Sequence, residues 1–415
     1  MNIADRPSPA RAGTALTALT ADLTVVGGAG HVGIPLVLSF AAKGLTVNVN
    51  DINEETLATL KAGRIPFIEN GAQELLTKAL AEKRLFFTSR PDEISTRGPV
   101  IVTIGTPVDE FLNPVRNVIE KCIDALLPHL HDGQLLLLRS TLYPGTTEWI
   151  DGYLKRQDRK LKVAFCPERI AQGHGIEELS RMPQLISGTT PEAEKEAAAL
   201  FGRIAPELIL LTPIEAEFAK LFNNAYRYIE FAMTNQFYLI AKSAGLDYKA
   251  ILQAMKHNYP RAQNIPSPGF AAGPCLVKDT MQLLAYARNE FALGNAAIMV
   301  NEGLPLQIIA ELRRKYDLGQ MTVGLLGMAF KAESDDPRAS LSYKFKKALA
   351  ASARAVLTTD PLVMGDPDLQ PLDEVIARSD LLILCTPHRV YKDADLKGKP
   401  VVDVWGMLEH ANVVF

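Results

Sequence analysis

Short apolar runs that end in glycine or in an acid, and that alternate with helical stretches, are what most limits the folds open to this chain. Residues 23–28, LTVVGG, form the first such run, and the stretch IPLVLSFAAKG that follows reads as a helix closed by Gly44. The next run, TVNVND, ends on Asp51. VIVTIGTP (100–107) and LLLLRST (135–141) read as further strands with helices between them. Continuous apolar runs suit strands covered on both faces, and their alternation with helices predicts a doubly wound parallel sheet.

The plan recurs toward the C-terminus. TVGLLGM (322–328) leads through a helix to AVLTTD (355–360), again a strand ending in an acid, and LLILCTP (381–387) and PVVDVWG (400–406) echo the later strands of the first half. Between the halves, residues 213–317 carry helical spacing, including the long stretch EAEFAKLFNNAYRYIEFAMTNQFYLIAKSAG. The expected fold is α/β, with two Rossmann-like doubly wound domains joined by a long central helix and helical region. Its parts are a loose leader over 1–22, a dinucleotide-binding domain over 23–212, the helical region over 213–318 and a second Rossmann-like domain over 319–415. The leader lacks the apolar core of a signal peptide, which points to a cytoplasmic protein.

Composition excludes several classes. With 47% hydrophobic and 22% charged residues and a net charge of −3 over 415 residues, the chain has no basic stripe for a phosphate backbone, so no nucleic-acid partner is expected. No apolar run approaches the roughly 18 residues of a membrane span. Cys122, Cys166, Cys275 and Cys385 are far apart, with no CxxC and no paired histidine spacing, so neither a metal site nor a disulfide framework is expected.

Gly28-Ala29-Gly30-His31-Val32-Gly33 is a GxGxxG after a strand and before a helix. Its glycines permit a tight turn and bring a pyrophosphate to the helix N-terminus, whose free N–H groups favour anions. Asp51, ending the next strand, suits ribose hydroxyls and repels a 2′-phosphate, which favours NAD over NADP.

SPGFAAGPCLVKDTMQLL (267–284) sets Cys275 after a flexible arm and ahead of Lys278 and Asp279. Pro274 suits the first turn of a helix, which places Cys275 at its N-terminus, where the dipole favours an anionic sulfur. Lys278 and Asp279, three and four residues on, share the face of that sulfur. An inert thiol at a helix cap would look the same in isolation. Beside an NAD fingerprint, however, a nucleophilic cysteine has a specific use: it adds to an aldehyde carbonyl, and the adduct surrenders a hydride to become a thioester. Cys385 and Cys122 read as packing residues, whereas Cys166, before PER, could face the site.

GFAAGPCLVKD, FCPERIAQG, EAEFAKLFNNA and GMAFKAESDDPRAS, in the chain with GxGxxG, resemble the UDP-glucose/GDP-mannose dehydrogenase family, from about residue 23 to near the C-terminus. These NAD-dependent UDP-sugar 6-dehydrogenases take a sugar C6 alcohol to the carboxylate in two steps. The resemblance implies that Cys275 is the thioester nucleophile, that Lys220 and Asn224 stabilise an oxyanion, and that Asp279 positions a water or the lysine. It implies that Glu168 activates the hydrolytic water and that Thr141 holds that water and the nicotinamide end. Thr106, Lys278 and Arg338 would join Gly28, Gly30, His31, Val32, Gly33, Asp51 and Thr141 on the cofactor. Arg169, Arg261, Ser267, Gly273, Phe330 and Lys331, together with Glu168, Lys220 and Asn224, would hold the UDP-sugar. A homodimer or larger homo-oligomer, built on the amphipathic middle helix, is expected.

Three positions depart from the family pattern. Gln172 stands where a second glutamate is often found, Ala271-Ala272-Gly273 replaces paired glycines, and Asp403-Val404-Trp405 replaces a common DxR. Arg169 stands where the UDP-glucose branch more often has Phe, which leans the substrate toward a UDP-N-acetylhexosamine, with UDP-glucose still open. Two other classes are compatible with parts of the sequence: a two-electron β-hydroxyacid dehydrogenase, and a non-catalytic nucleotide-sugar-binding protein.

Overall fold

A computed structural model describes residues 20–96, 98–109, 115 and 117–409, and the chain forms two compact units that meet in sequence between Lys220 and Leu221. The sheet of the first unit contains β1 (Leu23–Val26), β2 (Val47–Asn50), β3 (Leu85–Thr88), β4 (Val100–Val102), β5 (Leu135–Leu138), β6 (Lys162–Phe165), β7 (Gln184–Gly188) and β8 (Leu208–Leu210). Their spatial order is β3-β2-β1-β4-β5-β6-β7-β8. The order reverses between β1 and β4, and sheets of this kind bind ligands outside the carboxyl ends of the strands at such a reversal.

Successive side chains of β5 point to opposite faces, and both faces are covered. Leu135 and Leu137 pack with Ile34 and Leu38 of α1 (Gly33–Ala42). Leu136 and Leu138 pack with Ile119 and Ile123 of the helix Asn117–Leu126 and with Ile150 and Leu154 of the helix Thr146–Arg156. Two-sided burial is why these strands read as unbroken apolar runs, and each fully buried leucine contributes roughly 2 kcal/mol. Counting along the chain, the first unit's helices are α1, α2 (Glu54–Lys61), α3 (Ala72–Ala81), α4 (Asn117–Leu126), α5 (Thr146–Arg156), α6 (Gly175–Arg181) and α7 (Pro191–Phe201). Thr190 caps α7 by accepting from the Ala193 N–H, with Pro191 at its first position, a start visible in the sequence.

Two strands, β7 and β8, depart from the all-parallel expectation. β7 runs antiparallel to β6, while β8 is parallel to β7. The segment after β6 stays at the end of the sheet where β6 leaves it, and a chain that re-enters from that end must run backwards. The expected strands at 100–107 and 400–406 are also shorter. β4 stops at Val102, where the Thr103 hydroxyl turns back to donate to the carbonyls of Val26 and Gly27. Of the leader expected over 1–22, residues 1–19 lie outside the described residues, whereas Ala21 is buried and Asp22 accepts from the Thr46 N–H.

α8 (Pro213–Ser243) is 31 residues long. Its N-terminal part is rooted by Glu217, buried, which accepts from the N–H groups of Gly145 (2.5 Å) and Thr147 (2.8 Å) at the start of α5. A carboxylate there also meets the positive end of the helix dipole. In the second unit follow α9 (Tyr248–Lys256), α10 (Leu276–Tyr286) and α11 (Ala292–Lys315). A four-stranded parallel sheet then forms from β9 (Thr322–Leu326), β10 (Ala355–Thr359), β11 (Leu381–Leu384) and β12 (Val401–Val402), ordered β10-β9-β11-β12. One face packs on α11 and on α12 (Leu341–Ala350), the other on α13 (Leu372–Arg378). β12 ends early because the chain turns at Asp403, whose carboxylate accepts from the Leu408 N–H. Along α8, Phe222, Tyr226, Met233, Phe237 and Ile240 are exposed, at helical spacings that keep them on one stripe. Among the described residues no helix is long and apolar enough to cross a membrane.

Candidate active site

In the first unit the chain leaves β1 into a turn held by the Asn50 carbonyl, which accepts from the N–H groups of Gly27 (2.8 Å) and Gly28 (3.2 Å). Gly33 is required by close approach: a Cβ there would lie 2.5 Å from the Gly27 carbonyl oxygen, so α1 starts directly on the turn. Gly30 is open by contrast, with only the Gly27 oxygen within reach of a Cβ at 3.5 Å. Val32 is the residue before the helix and caps it without a side-chain bond. In the first turn the Ile34 N–H donates to the Gly30 carbonyl at 2.9 Å and Pro35 carries no N–H, so it is chiefly the positive end of the helix dipole that this start offers to an anion. Asp51 aims one carboxylate oxygen at the Ala29 N–H (3.1 Å) and the other at the Asn53 N–H (2.9 Å), which sets a half-buried acid beside the turn. Open space at Gly30, the positive end of the α1 dipole and an acid on the neighbouring strand fit the pyrophosphate and ribose of NAD.

The same plan is closed in the second unit. Asp360 ends β10 as Asp51 ends β2, but its side chain is fully buried. One oxygen accepts from the N–H groups of Met328 (2.6 Å) and Ala329 (2.9 Å) and from His388 Nε2 (3.2 Å). The other accepts from Leu362 and Val363. With the Glu333 N–H donating to Nδ1 of His388, the ring is held as an Nε2–H donor. Burial opposes ionisation of Asp360, yet the His388 hydrogen bond and the N–H groups of Val363 and Leu362 outweigh it and bring the carboxyl down to about 2. Nothing of Asp360 is left for a ribose.

Thr106 and Thr141 are brought together, the Thr106 hydroxyl donating to the Thr141 carbonyl at 2.8 Å. Glu168 is buried and fixed from two sides. One oxygen accepts from the N–H groups of Arg169 (2.7 Å) and Ile170 (2.8 Å), and the other is ion-paired with Arg139. Arg139 is 1% exposed, donates to the Cys166 carbonyl and to Gln184, and lies over the Phe201 ring. Sequence reading passed over it, although an arginine ending the run LLLLRST at a buried strand end was a signal. Arg169 turns its guanidinium to the Pro183 carbonyl. Lys220 lies one turn beyond Glu217 on α8, buried, and its ammonium makes no hydrogen bond or ion pair among the described residues.

Asn224 follows Lys220 by four residues on α8, so the two share a helix face. Asn224 Nδ2 donates to Asp279 at 2.6 Å, and the other Asp279 oxygen pairs with Lys278 Nζ at 2.6 Å. Asp279 is fully buried. Cys275 caps α10, one residue before the helix proper, so Pro274 precedes the helix instead of lying in its first turn as the sequence suggested. Of the four cysteines Cys275 is the exposed one. Burial pushes the thiol of Cys122 up to about 11 and that of Cys166 to about 12, and raises that of Cys385 further. Arg338 is bound through Nε and its terminal nitrogen to Asp336, and that bond, ahead of the influence of Cys275 nearby, raises its pKa.

The arm leading to Cys275 is fixed by packing. Gly273 has φ +107, and a Cβ there would lie 2.6 Å from the Phe330 ring, over which Lys331 extends its ammonium. Gly269 lies under Trp405, so the residue replacing the family's arginine fills space against the arm, and its indole N–H donates to the Cys385 carbonyl. Asn235, buried on α8, both donates to the Gly269 carbonyl (3.0 Å) and accepts from its N–H (2.8 Å), and it is held in turn by Asn301. Arg261 and Ser267 are exposed and make no hydrogen bond or ion pair among the described residues, so the structure does not bring them to the others.

Three family models match in chain order: the NAD binding domain of the UDP-glucose/GDP-mannose dehydrogenase family on residues 21–205, its central domain on 214–303 and its UDP binding domain on 324–410. The chain belongs to this family. A dehydrogenase of this family with an NAD binding domain is an NAD-dependent oxidoreductase, and the two-electron β-hydroxyacid alternative would leave residues 324–410 without a use. A UDP-N-acetyl-D-mannosamine dehydrogenase of Pyrococcus horikoshii is 30% identical over 408 residues, 94% of this chain and 96% of its own. An NDP-N-acetyl-D-galactosaminuronic acid dehydrogenase of Ralstonia nicotianae is 26% identical over 407 residues, 92% of this chain and 95% of its own. The solved structure of a UDP-glucose dehydrogenase from Pyrobaculum islandicum superposes with a TM-score of 0.85 at 25% identity, covering 96% of both chains. Both Rossmann-like domains and the long helices of this UDP-glucose/GDP-mannose dehydrogenase family member are as the sequence predicts.

Proposed function

We propose that this chain oxidises the C6 alcohol of a UDP-sugar to the carboxylate, a four-electron reaction yielding a UDP-uronic acid for polysaccharide synthesis. The observation that carries the reading is Cys275: an exposed thiol at a helix start, beside the Lys278–Asp279–Asn224 chain, in a protein with an NAD fingerprint. NAD, held by the turn at Gly28–Gly33 and by Asp51, supplies the acceptor for two hydrides per sugar.

The remaining work falls to the chain. At the aldehyde level Cys275 forms a C–S bond to C6, and the carbonyl electron pair moves to oxygen. Lys220 and Asn224 stabilise that oxyanion by charge and by an N–H donor. Loss of the second hydride from the carbon of that oxyanion restores the C=O bond and leaves a thioester. Water, held by Thr141 and deprotonated by Glu168, then adds to C6, and the C–S bond breaks to return the thiolate. Asp279 keeps Asn224 and Lys278 in place. Lys278, Arg338 and Thr106 are assigned to the cofactor, and Arg169, Arg261, Ser267, Gly273, Phe330 and Lys331 to the UDP-sugar.

The curated relatives named above act on N-acetylated sugars by their names, which supports a UDP-N-acetylhexosamine over UDP-glucose. A panel of UDP-sugars assayed for NADH release tests this. Two NADH per sugar on an N-acetylhexosamine are expected, and a single NADH per turnover rules the four-electron reading out.

The apolar stripe of α8 is assigned to a second copy of this chain, in a homodimer or a multiple of one, working in the cytoplasm. Sedimentation at micromolar concentration is expected to give at least a dimer, and replacing Ile240, 57% exposed, by Asp to weaken it. A monomer before substitution contradicts the assignment.

A further inference from the structure

The segment after β6 that carries Glu168 is fastened to the dinucleotide turn by contacts that the oxidation itself does not use. Gln172 brings Nε2 to 3.0 Å from Nδ1 of His31, the residue after Gly30 in the fingerprint. The His31 ring lies on Phe67, with centroids 3.8 Å apart. Phe67 leads into Glu69, which is buried and accepts from the N–H groups of Gly173 (3.0 Å) and Ile176 (3.1 Å). The Asn70 N–H donates to the Gly173 carbonyl at 3.0 Å. Gly175 lies so close to Pro35 of α1 that a Cβ would come within 2.9 Å of its ring. The segment from Glu168 to Ile176 is therefore anchored at Arg139, at Glu69 and on α1. Of these fastenings, the Gln172–His31 bond is the one that enters the GxGxxG turn itself.

We propose that the Gln172–His31 contact couples the dinucleotide turn to the Glu168 segment, so that NAD bound at the turn and the seated position of that segment favour each other. The proposal rests on the reading of Glu168 as the residue that handles the hydrolytic water. Gly30 is the open position of the turn and His31 is its neighbour, so a ligand that fixes the Gly30 backbone also fixes the imidazole. The imidazole is already seated on Phe67, and holding its backbone as well leaves less freedom to be lost when its bond to Gln172 forms. Coupling between binding events is reciprocal: whatever NAD contributes to seating the segment, the seated segment returns to NAD affinity. The departure from the family's second glutamate thereby acquires a role. An uncharged amide makes this bond without placing a negative charge beside the seat of a pyrophosphate.

The experiment titrates the full-length protein with NAD alone by calorimetry, comparing the parent with Gln172→Ala, His31→Ala and the double variant. Losing one hydrogen bond of this kind predicts about fivefold weaker NAD binding in Gln172→Ala. The double variant is expected to bind no more weakly than His31→Ala, because both changes remove one interaction. In the parent, NAD is expected to slow amide hydrogen exchange over residues 167–176, and in Gln172→Ala that slowing is lost. Unchanged NAD affinity in Gln172→Ala, additive losses in the double variant, or an absence of NAD-dependent slowing in the parent overturns the coupling. The exchange measurement on the parent decides even where a variant folds poorly. No sugar is present, so failure here is distinct from failure of the thioester reading, which the NADH count decides.

Discussion

Cys275→Ser is expected to lower complete oxidation of the sugar by about 10³-fold or more. A serine hydroxyl at the same helix start is a far weaker nucleophile than a thiolate, and the ester it forms is a poorer acyl donor to water than a thioester. The other three cysteines cannot substitute, because Cys166 and Cys385 are buried and Cys122 is largely so, with thiols raised by burial. The measurement is NADH released per sugar in a single turnover, with mass spectrometry for a covalent adduct at residue 275. The variant should give the sugar-linked adduct in far lower yield than the parent. Full-rate release of two NADH by the variant would remove the covalent step from the mechanism.

The second large effect is on stability. Asp360→Asn should destabilise the second unit by about 3 kcal/mol at pH 7, since an amide nitrogen would face the N–H groups that one carboxylate oxygen now satisfies. The pH dependence follows from a carboxyl depressed to about 2 in the folded chain. Its unfolded counterpart titrates near 4, so the difference corresponds to about 2.5 kcal/mol. That contribution is complete above the unfolded value, declines as pH falls from about 4 toward 2, and is absent below 2. Urea unfolding of the full chain carrying Trp149→Phe leaves Trp405 to report on the second unit. The parent should lose this increment between pH 4 and 2, and Asp360→Asn should lack that step. Equal stability of the two at pH 7 would show that the buried carboxylate is dispensable.

Much of the architecture was legible because a doubly covered parallel strand must be a continuous apolar run, and LTVVGG, LLLLRST and TVGLLGM have few other uses. The backward course of β7 was not legible, because a strand's direction depends on which end of the sheet the chain re-enters, and QLISG reads alike either way. The same holds for strand ends: Thr103 and Asp403 stop β4 and β12 through bonds to residues distant in sequence. In the site, the glycine turn and the helix start at Cys275 were legible because each is local, one in the spacing of six residues and the other in the residues next to it. Arg139 on Glu168, His388 on Asp360 and Trp405 over Gly269 join residues between 28 and about 136 positions apart. No spacing rule connects such pairs before the chain has folded.

The pair of hydrogen bonds between Asn235 and the backbone of Gly269 spans 34 positions of sequence. It sets the position of the arm that leads to Cys275 from the interior of a helix instead of from the arm itself. Exposed arm residues such as Ser267 can therefore change without loosening that clamp, and Cys275 stays where the arm holds it. A library randomised at such positions would explore new substrates without having to rebuild the chemistry each time.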